Sequence, residues 1–360
     1  MRDQHSRANN SVQIVLIALF LALSLLPVCS MLFVGQARAS ANEILASKPK
    51  LVNRDGSFNK HVLNDASDYI ADRFAFRKQL VTAWARLNAF LFRTSAEDQV
   101  LLGKGDWLYY TDTLDDYMGR SMSDEELDHT AAFLASLQKA AESRGARFLF
   151  TIAPNKNSLY SENMPAYIPQ DHSGSNAERL KPFLIKYGVN YCDLFSVFSG
   201  RGEVLYYETD SHWTDCGAAL AADALLAGFD KDSAYFDGPF SAGEEHRGDL
   251  YEMLYPTGKE TETSVVYAPG FGYSLAGDPN GGNALKISSS CEGRNGVLLC
   301  WRDSFGISLY PYLADSYSEA AFLRSTSYDP AEIDKIGADT VILEIVERNL
   351  SQLADRELIE

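Results

Sequence analysis

Positive charge is in shortest supply here: 32 Lys and Arg stand against 49 Asp and Glu, a formal net charge of -17 over 360 residues. An acidic surface repels phosphate backbones, which argues against nucleic acid as a partner and favours neutral or basic glycans or a protein. Cysteine is scarce too. Cys29 lies in an apolar run, and Cys192, Cys216, Cys291 and Cys300 show no CxxC spacing, so no zinc framework is expected. In an oxidising compartment those four would allow one or two disulfides, with three pairings open. His61, His129, His172 and His246 lack metal-ligand spacing, and neither a metal nor a cofactor is expected. Internal repeats and low-complexity stretches are missing as well. What is present suffices for a sizeable core: 46% hydrophobic residues and 12% aromatics, at a length suited to one large α/β domain with additions.

The N-terminus carries a long apolar run. No charge falls between Ala8 and Ala37, and Val12 to Val34 is nearly all apolar, behind Arg2 and Arg7. That covers the roughly 20 residues a bilayer helix needs and exceeds the about 7–15 of a cleaved signal core. A cytoplasmic tip and retained signal anchor are therefore expected over 1–35, with cleavage at Ala37-Arg38-Ala39 as the alternative. Arg38, Lys48 and Lys50 beyond the run weaken the positive-inside signal. The extracytoplasmic placement of the body rests on the usual behaviour of a single N-terminal anchor. A polar stalk is expected over 36–58 and one catalytic domain over 59–360.

Apolar spacing predicts two helices between Asn59 and Thr94, and a strand pair at 98–103 and 107–110. Ser123 with Glu126 forms a capping box that opens a helix to about Ser143. Strands are expected at 147–153, 189–192, 204–207, 295–301, 319–323 and 339–346, with helices at 175–186, 214–228, 305–316, 330–336 and the C-terminus. Residues 229–295 read as an irregular insertion with short strands. Strands separated by single helices imply a mostly parallel sheet covered on both faces, whose carboxyl edge collects the chemistry. Three polar clusters are placed at that edge: Pro154-Asn155-Lys156, Asp210-Ser211-His212-Trp213 and Arg302-Asp303-Ser304-Phe305.

Ser304 sits where a strand passes into a helix, so its hydroxyl projects above the sheet edge beside free N–H groups, near Phe305, that could hold an oxyanion. The plain alternative is a helix cap. On an extended segment Asp210 and His212 share a face, so Asp210 could orient the imidazole while the other ring nitrogen takes a proton from Ser304. A surface histidine beside a carboxylate is the competing reading, and a metal site would need a further ligand.

The segments DSHWTDCGA, GKGDWLYY (103–110), APNKNSLY (153–160) and WRDSFGISLYPYLADSY (301–317) together resemble the DHHW/alginate O-acetyltransferase-like family. DRFAFR (72–77), GDLYEML (248–254) and ERNL (347–350) extend the likeness over about 60–350 in one order. The resemblance implies an SGNH-hydrolase-like three-layer α/β domain behind an N-terminal transmembrane helix. It places the DxHW motif on Asp210, His212 and Trp213 and the nucleophile on Ser304. Tyr310 matches an aromatic substrate contact, with Trp213 and Arg324 as weaker ones. Asn155 and Lys156 match a turn that could hold substrate or oxyanion, a structural turn being equally open. Trp107 is assigned to the core. Position 211 is Ser where the family name suggests a second histidine, so only His212 is left in that motif to act as base. Gly105 and Asp106 are swapped relative to GKDGW, which affects the turn.

The implied activity is extracytoplasmic O-acetyl transfer to hydroxyls of a cell-surface or exported polysaccharide. The implied partner is a multi-spanning membrane protein that supplies the acetyl group. A carbohydrate esterase using the same triad, and a non-catalytic polysaccharide-binding or assembly protein, are the rival readings.

Overall fold

The computed structural model describes residues 2–38, 45–120, 122–267, 270–276 and 285–359, the side chains of 2–12 excepted. Contacts divide the chain into two compact units: residues 1–96 with 254–258, and 97–253 with 259–360. The first contains the helices Arg2–Phe33, Val62–Arg73 and Arg77–Phe92. Within the first of these, Gln13–Phe33 is apolar and long enough to cross a bilayer, with a mean hydropathy of 2.7. Ala39 of the candidate cleavage site lies outside the described residues. Both helices expected between Asn59 and Thr94 form, and they cluster in this unit, although the sequence reading ran them into the catalytic domain.

The second unit begins with the antiparallel pair β1 (Val100–Leu102) and β2 (Leu108–Tyr110). Strands β3 (Arg147–Ala153) and β4 (Tyr191–Cys192) follow. A separate ribbon, β5 (Phe240–His246) with β6 (Glu262–Tyr267), comes next. Then come β7 (Tyr273–Ala276), β8 (Lys286–Cys291), β9 (Val297–Trp301), β10 (Glu319–Leu323) and β11 (Thr340–Val346). Seven strands form one sheet in the order β4-β3-β11-β9-β10-β8-β7. The first five are parallel, and β8 and β7 add antiparallel at one edge.

Alternation along the strands explains the three layers. Leu149 and Ala153 of β3, Leu298 and Cys300 of β9 and Ile342 of β11 pack with helices Asp215–Ala227 and Gly306–Ser316. Phe148, Phe150 and Ile152, with Leu299, Trp301, Val341, Leu343 and Ile345, pack with Asp124–Ser143 and Asn176–Tyr187. A strand apolar at both parities can only sit between two layers. Ser123 and Glu126 make both bonds of the capping box.

One expectation needs correction. Residues 204–207 do not join the sheet: Tyr206 makes only an isolated bridge to Trp213, so the DSHW segment is the bend of a small loop. Of the short strands expected within 229–295, β7 and β8 complete the main sheet and β5 with β6 forms the ribbon. Lys286–Cys291 reads KISSSC, too polar to announce a strand, and its pairing with β10 supplies the stability its letters lack. The five cysteines are all free, so the four outside the apolar N-terminal helix form no disulfide.

Candidate active site

His212 and Ser304 meet although 92 residues separate them: His212 Nε2 lies 2.9 Å from Ser304 Oγ. Its other nitrogen, Nδ1, lies 2.8 Å from Asp210 Oδ1 and 3.5 Å from Asp249 Oδ2. Two carboxylates facing Nδ1 fix the proton there and leave the Nε2 lone pair for the serine hydroxyl. The bend between Tyr206 and Trp213 brings Asp and His together rather than an extended segment, because Asp210 Oδ1 accepts from the His212 N–H (2.9 Å) as well as from the ring. Such a side-chain-to-backbone bond closes a tight turn by itself. The Phe305 ring, 4.9 Å from the imidazole between centroids, walls the site.

Burial pulls the His212 imidazole towards neutrality. The hydrogen bond and charge of Asp210, with Asp249 behind it, outweigh that and hold its pKa above the ordinary 6.5. Burial also works against ionising Asp210, yet bonds from His212 and His246 and the His212 charge keep its carboxyl well below the usual range. For Asp249 burial and the neighbouring Asp210 charge prevail, and its pKa rises.

The strand-to-helix turn at Ser304 is held from below. Asp303 donates its N–H to Glu344 Oε2 (3.1 Å), and its carboxylate accepts from the N–H groups of Phe305 (2.9 Å) and Val346 (2.7 Å). This corrects the expected oxyanion donor: the Phe305 N–H is spent on Asp303. The Ser304 N–H, which has no acceptor among the described residues, is the donor left at that turn.

Lys156 is likewise not a substrate contact. Its buried ammonium donates to the carbonyls of Tyr207 (3.1 Å), Glu208 (2.9 Å) and Asp210 (2.6 Å), clamping the loop that carries Asp210. Burial outweighs the nearby carboxylates and lowers its pKa to about 8. Asn155 is buried and takes the structural-turn role, donating its N–H to Glu347 Oε2 (2.9 Å) and accepting from the Arg348 N–H (3.3 Å). Trp213 is fully buried against Phe198 and Phe305 and cannot meet a ligand. Tyr310 is half-buried, packed on Phe322 and Tyr273, and Arg324 is exposed at the end of β10. No contact among the described residues joins either of them to Asp210, His212 or Ser304. The Trp107 ring is half-buried against Tyr160.

Sequence reasoning missed Asp249, His246, Ser211 and Arg348 as site residues. Asp249 Oδ1 accepts the Ser211 N–H (2.7 Å) and Oδ2 the Ser211 hydroxyl (2.6 Å), tying the DSHW loop to the segment after β5. The Arg348 guanidinium lies 5.4 Å from the ring centres of both Tyr110 and Phe305. Asp249 and Arg348 fall within GDLYEML and ERNL, so weighing those segments as site material would have found them.

Beneath the site, Glu347 accepts from the Asn155 N–H and the Ser158 hydroxyl (2.6 Å) while buried, and burial pushes its pKa up to about 7. The folded state therefore holds a proton that the unfolded chain has released by about pH 5, so stability declines as pH rises from there through about 7. Glu347→Gln keeps an acceptor oxygen and removes the titration. Thermal melts of the full chain in detergent should show it matching the parent near pH 5 and gaining about 2–3 kcal/mol at pH 8. Equal melting temperatures at pH 8 would disprove this.

Comparison with known proteins adds the family context. Residues 100–266 match the family model described as SGNH hydrolase-like domain, acetyltransferase AlgX. The probable alginate O-acetylase AlgJ of Pseudomonas syringae pv. tomato is 26% identical over 220 residues, covering 60% of this chain and 52% of that protein. The chain thus spans about half the length of the curated relatives it matches. Among solved structures, Bacillus cereus PatB1 superposes with a TM-score of 0.55 at 17% identity, over 72% of this chain and 98% of that one. A DHHW family protein from Eubacterium siraeum gives 0.52 at 16%, over 67% and 91%. The SGNH-hydrolase-like α/β architecture and the family resemblance expected from the sequence are borne out. The matched residues include Asp210 and His212 and end before Ser304, whose place in the site rests on geometry.

Proposed function

We propose that this chain, built on an SGNH hydrolase-like domain similar to that of acetyltransferase AlgX, is an extracytoplasmic, membrane-anchored O-acetyltransferase. Ser304 is the nucleophile, His212 the general base and Asp210 its orienter. The observation that carries the reading is the continuous line from Ser304 Oγ to His212 Nε2 (2.9 Å) and from Nδ1 to Asp210 Oδ1 (2.8 Å). A nucleophile, base and orienting acid in that order do acyl transfer on unrelated folds.

In the first half-reaction His212 takes the Ser304 proton as Oγ attacks the acetyl carbonyl. The oxyanion develops beside the Ser304 N–H, and the leaving group departs with the proton from His212. In the second, an acceptor hydroxyl loses its proton to His212 and attacks the acetyl–Ser304 carbonyl, which returns the serine. Asp210 stays ionised throughout and keeps the imidazole in register.

The acceptor is read as a cell-surface or exported polysaccharide, supported by the relatives named as alginate O-acetylases and by the apolar helix at the N-terminus. A separate multi-spanning membrane protein is the proposed acetyl donor, since the chain itself has one helix fit to cross a bilayer among the described residues.

The test uses the full chain in detergent with p-nitrophenyl acetate as donor and oligosaccharides as acceptors. Mass spectrometry should find a transient acetyl group on the Ser304 peptide and stable acetyl groups on the acceptor. Acetate as sole product with every acceptor would select the esterase. A lack of acetyl–Ser304 in an active preparation would end the triad reading.

The same assay has a pH signature. His212 works as a base only when neutral, and its pKa lies above 6.5, so the rate should climb with pH to a midpoint above that value. A midpoint at or below 6.5 would contradict the Asp210–His212 pairing.

A further inference from the structure

The carboxylate of Asp210 serves two histidines. His212 Nδ1 takes Oδ1, and His246 Nε2 lies 2.8 Å from Oδ2. His246 ends β5, 36 residues beyond Asp210, in the stretch that sequence alone marks as irregular. Its ring is stacked on Tyr207, 3.9 Å between centroids and 19° between planes, so its orientation is set by an aromatic on the same loop as Asp210. The Asp249 N–H also reaches Oδ2 (2.9 Å). Each oxygen of Asp210 therefore has two donors from this small loop and its neighbour: the backbone and ring of His212 on Oδ1, and Asp249 with His246 on Oδ2.

We propose that His246 is a positioning residue for the triad, acting through Asp210 by donating its Nε2–H to the oxygen that His212 does not use. This rests on the reading of Ser304, His212 and Asp210 as an acyl-transfer triad.

Two consequences follow from the geometry. A carboxylate with one free oxygen can rotate about its Cβ–Cγ bond and swing the bonded oxygen out of the imidazole plane. With Oδ2 held by both the Asp249 N–H and His246 that swing is opposed, and without His246 one backbone donor alone resists it, so His246 helps keep His212 aimed at Ser304. The second consequence is electronic. A donor on Oδ2 draws negative charge away from Oδ1, so Asp210 holds the His212 imidazolium less strongly than a bare carboxylate would. His246 thereby keeps the base from becoming too reluctant to release its proton to the leaving group.

The charged and titratable groups around His246 are few. They are Asp210 and Tyr207 on the loop, Asp249 after the ribbon, Glu262 opposite it in the β5–β6 register, and its chain neighbour Arg247, which pairs with Glu252 at 3.8 Å. Glu262 is itself committed to the N–H groups of Glu208 (2.7 Å) and Thr209 (2.8 Å), so it does not compete for the His246 ring.

The test compares His246→Leu, which removes the donor, with His246→Gln, whose amide places a donor near the Nε2 position. Both are made in the full chain in detergent and assayed with p-nitrophenyl acetate across pH. The Leu variant should lose about 10- to 50-fold in kcat with KM within about twofold. The midpoint of its acid limb should move up by about half to one pH unit, because Asp210 then grips the imidazolium harder. The Gln variant should recover most of the rate and return the midpoint towards the parent. His246 is about one-third exposed, and a melting curve on each variant separates misfolding from a local effect. If the Leu variant proves unfolded, the Gln variant alone against the parent decides, its acid-limb midpoint being required to stay with the parent.

The proposal is overturned if the Leu variant keeps the parent rate and midpoint. It is also overturned if its rate falls with no shift, or if Gln is as impaired as Leu while folded. Failure of the triad reading looks different: Ser304→Ala would then retain activity, whatever His246 does.

Discussion

Replacing Ser304 with alanine is expected to lower acetyl transfer by at least about 10⁴-fold, with His212→Ala close behind and the double variant no worse than either. Groups that act as one unit lose their effect together, so the second removal costs little. Asp210→Ala should be milder, about 10²- to 10³-fold, because Asp249 Oδ2 already stands 3.5 Å from His212 Nδ1 and can take over part of the orienting role. Initial rates with p-nitrophenyl acetate and a saturating acceptor measure all four variants. A Ser304→Ala rate within about tenfold of the parent would remove Ser304 from the chemistry. Equal losses in Ser304→Ala and Asp210→Ala would remove the backup role of Asp249.

The second large effect is structural and comes from a residue without a side chain. A Cβ built on Gly248 would run into the backbone carbonyl of Thr209. The obstacle is backbone, so it cannot rotate away. The two segments are also tied at that point, through the Tyr251 N–H on the Thr209 carbonyl (3.1 Å) and the Asp249 N–H on Asp210. Gly248→Ala must therefore push the segment carrying His246 and Asp249 off the DSHW loop. A Gly→Ala change in a relaxed position would stabilise by about 0.4–1 kcal/mol through the unfolded chain. Here the overlap dominates, and a loss of about 2–4 kcal/mol is expected, with activity down at least about 100-fold in whatever fraction remains folded. Thermal melts and rates on the same preparation check it. An unchanged melting temperature with near-parent activity would show that the two segments are not in contact.

How much of this was legible in the letters depends on how local each feature is. Arg147–Ala153, Glu319–Leu323 and the capping box at Ser123 are written in a few neighbouring residues, and the structure repeats them almost letter for letter. Asp210, His212 and Ser304 were legible as candidates because strand-to-helix turns and a DxH pair are local patterns. Their meeting was expected from their shared place at the sheet edge, but a 92-residue separation leaves no periodic trace that could give the distance. The features that went unread depend on distant partners. Lys156 reads as a residue that could hold substrate or oxyanion until three carbonyls from 207–210 surround it. KISSSC becomes a strand only beside β10. His246 reached Asp210 through a ribbon whose alternation is mostly exposed, and so carried no burial signal.

The position of β11 has a consequence for how the protein is made. Among the described strands it comes last in sequence, yet it lies between β3 and β9. Until residues 340–346 have been synthesised, β3 has no hydrogen-bonded route to β9, and the turn bearing Ser304 lacks the Glu344 and Val346 atoms that fix Asp303. A partly made chain thus carries the serine and the histidine without the scaffold that joins them. The sheet is joined through its middle by the strand that comes last of the seven in sequence, and the turn bearing Ser304 takes its fixed form only with that strand in place.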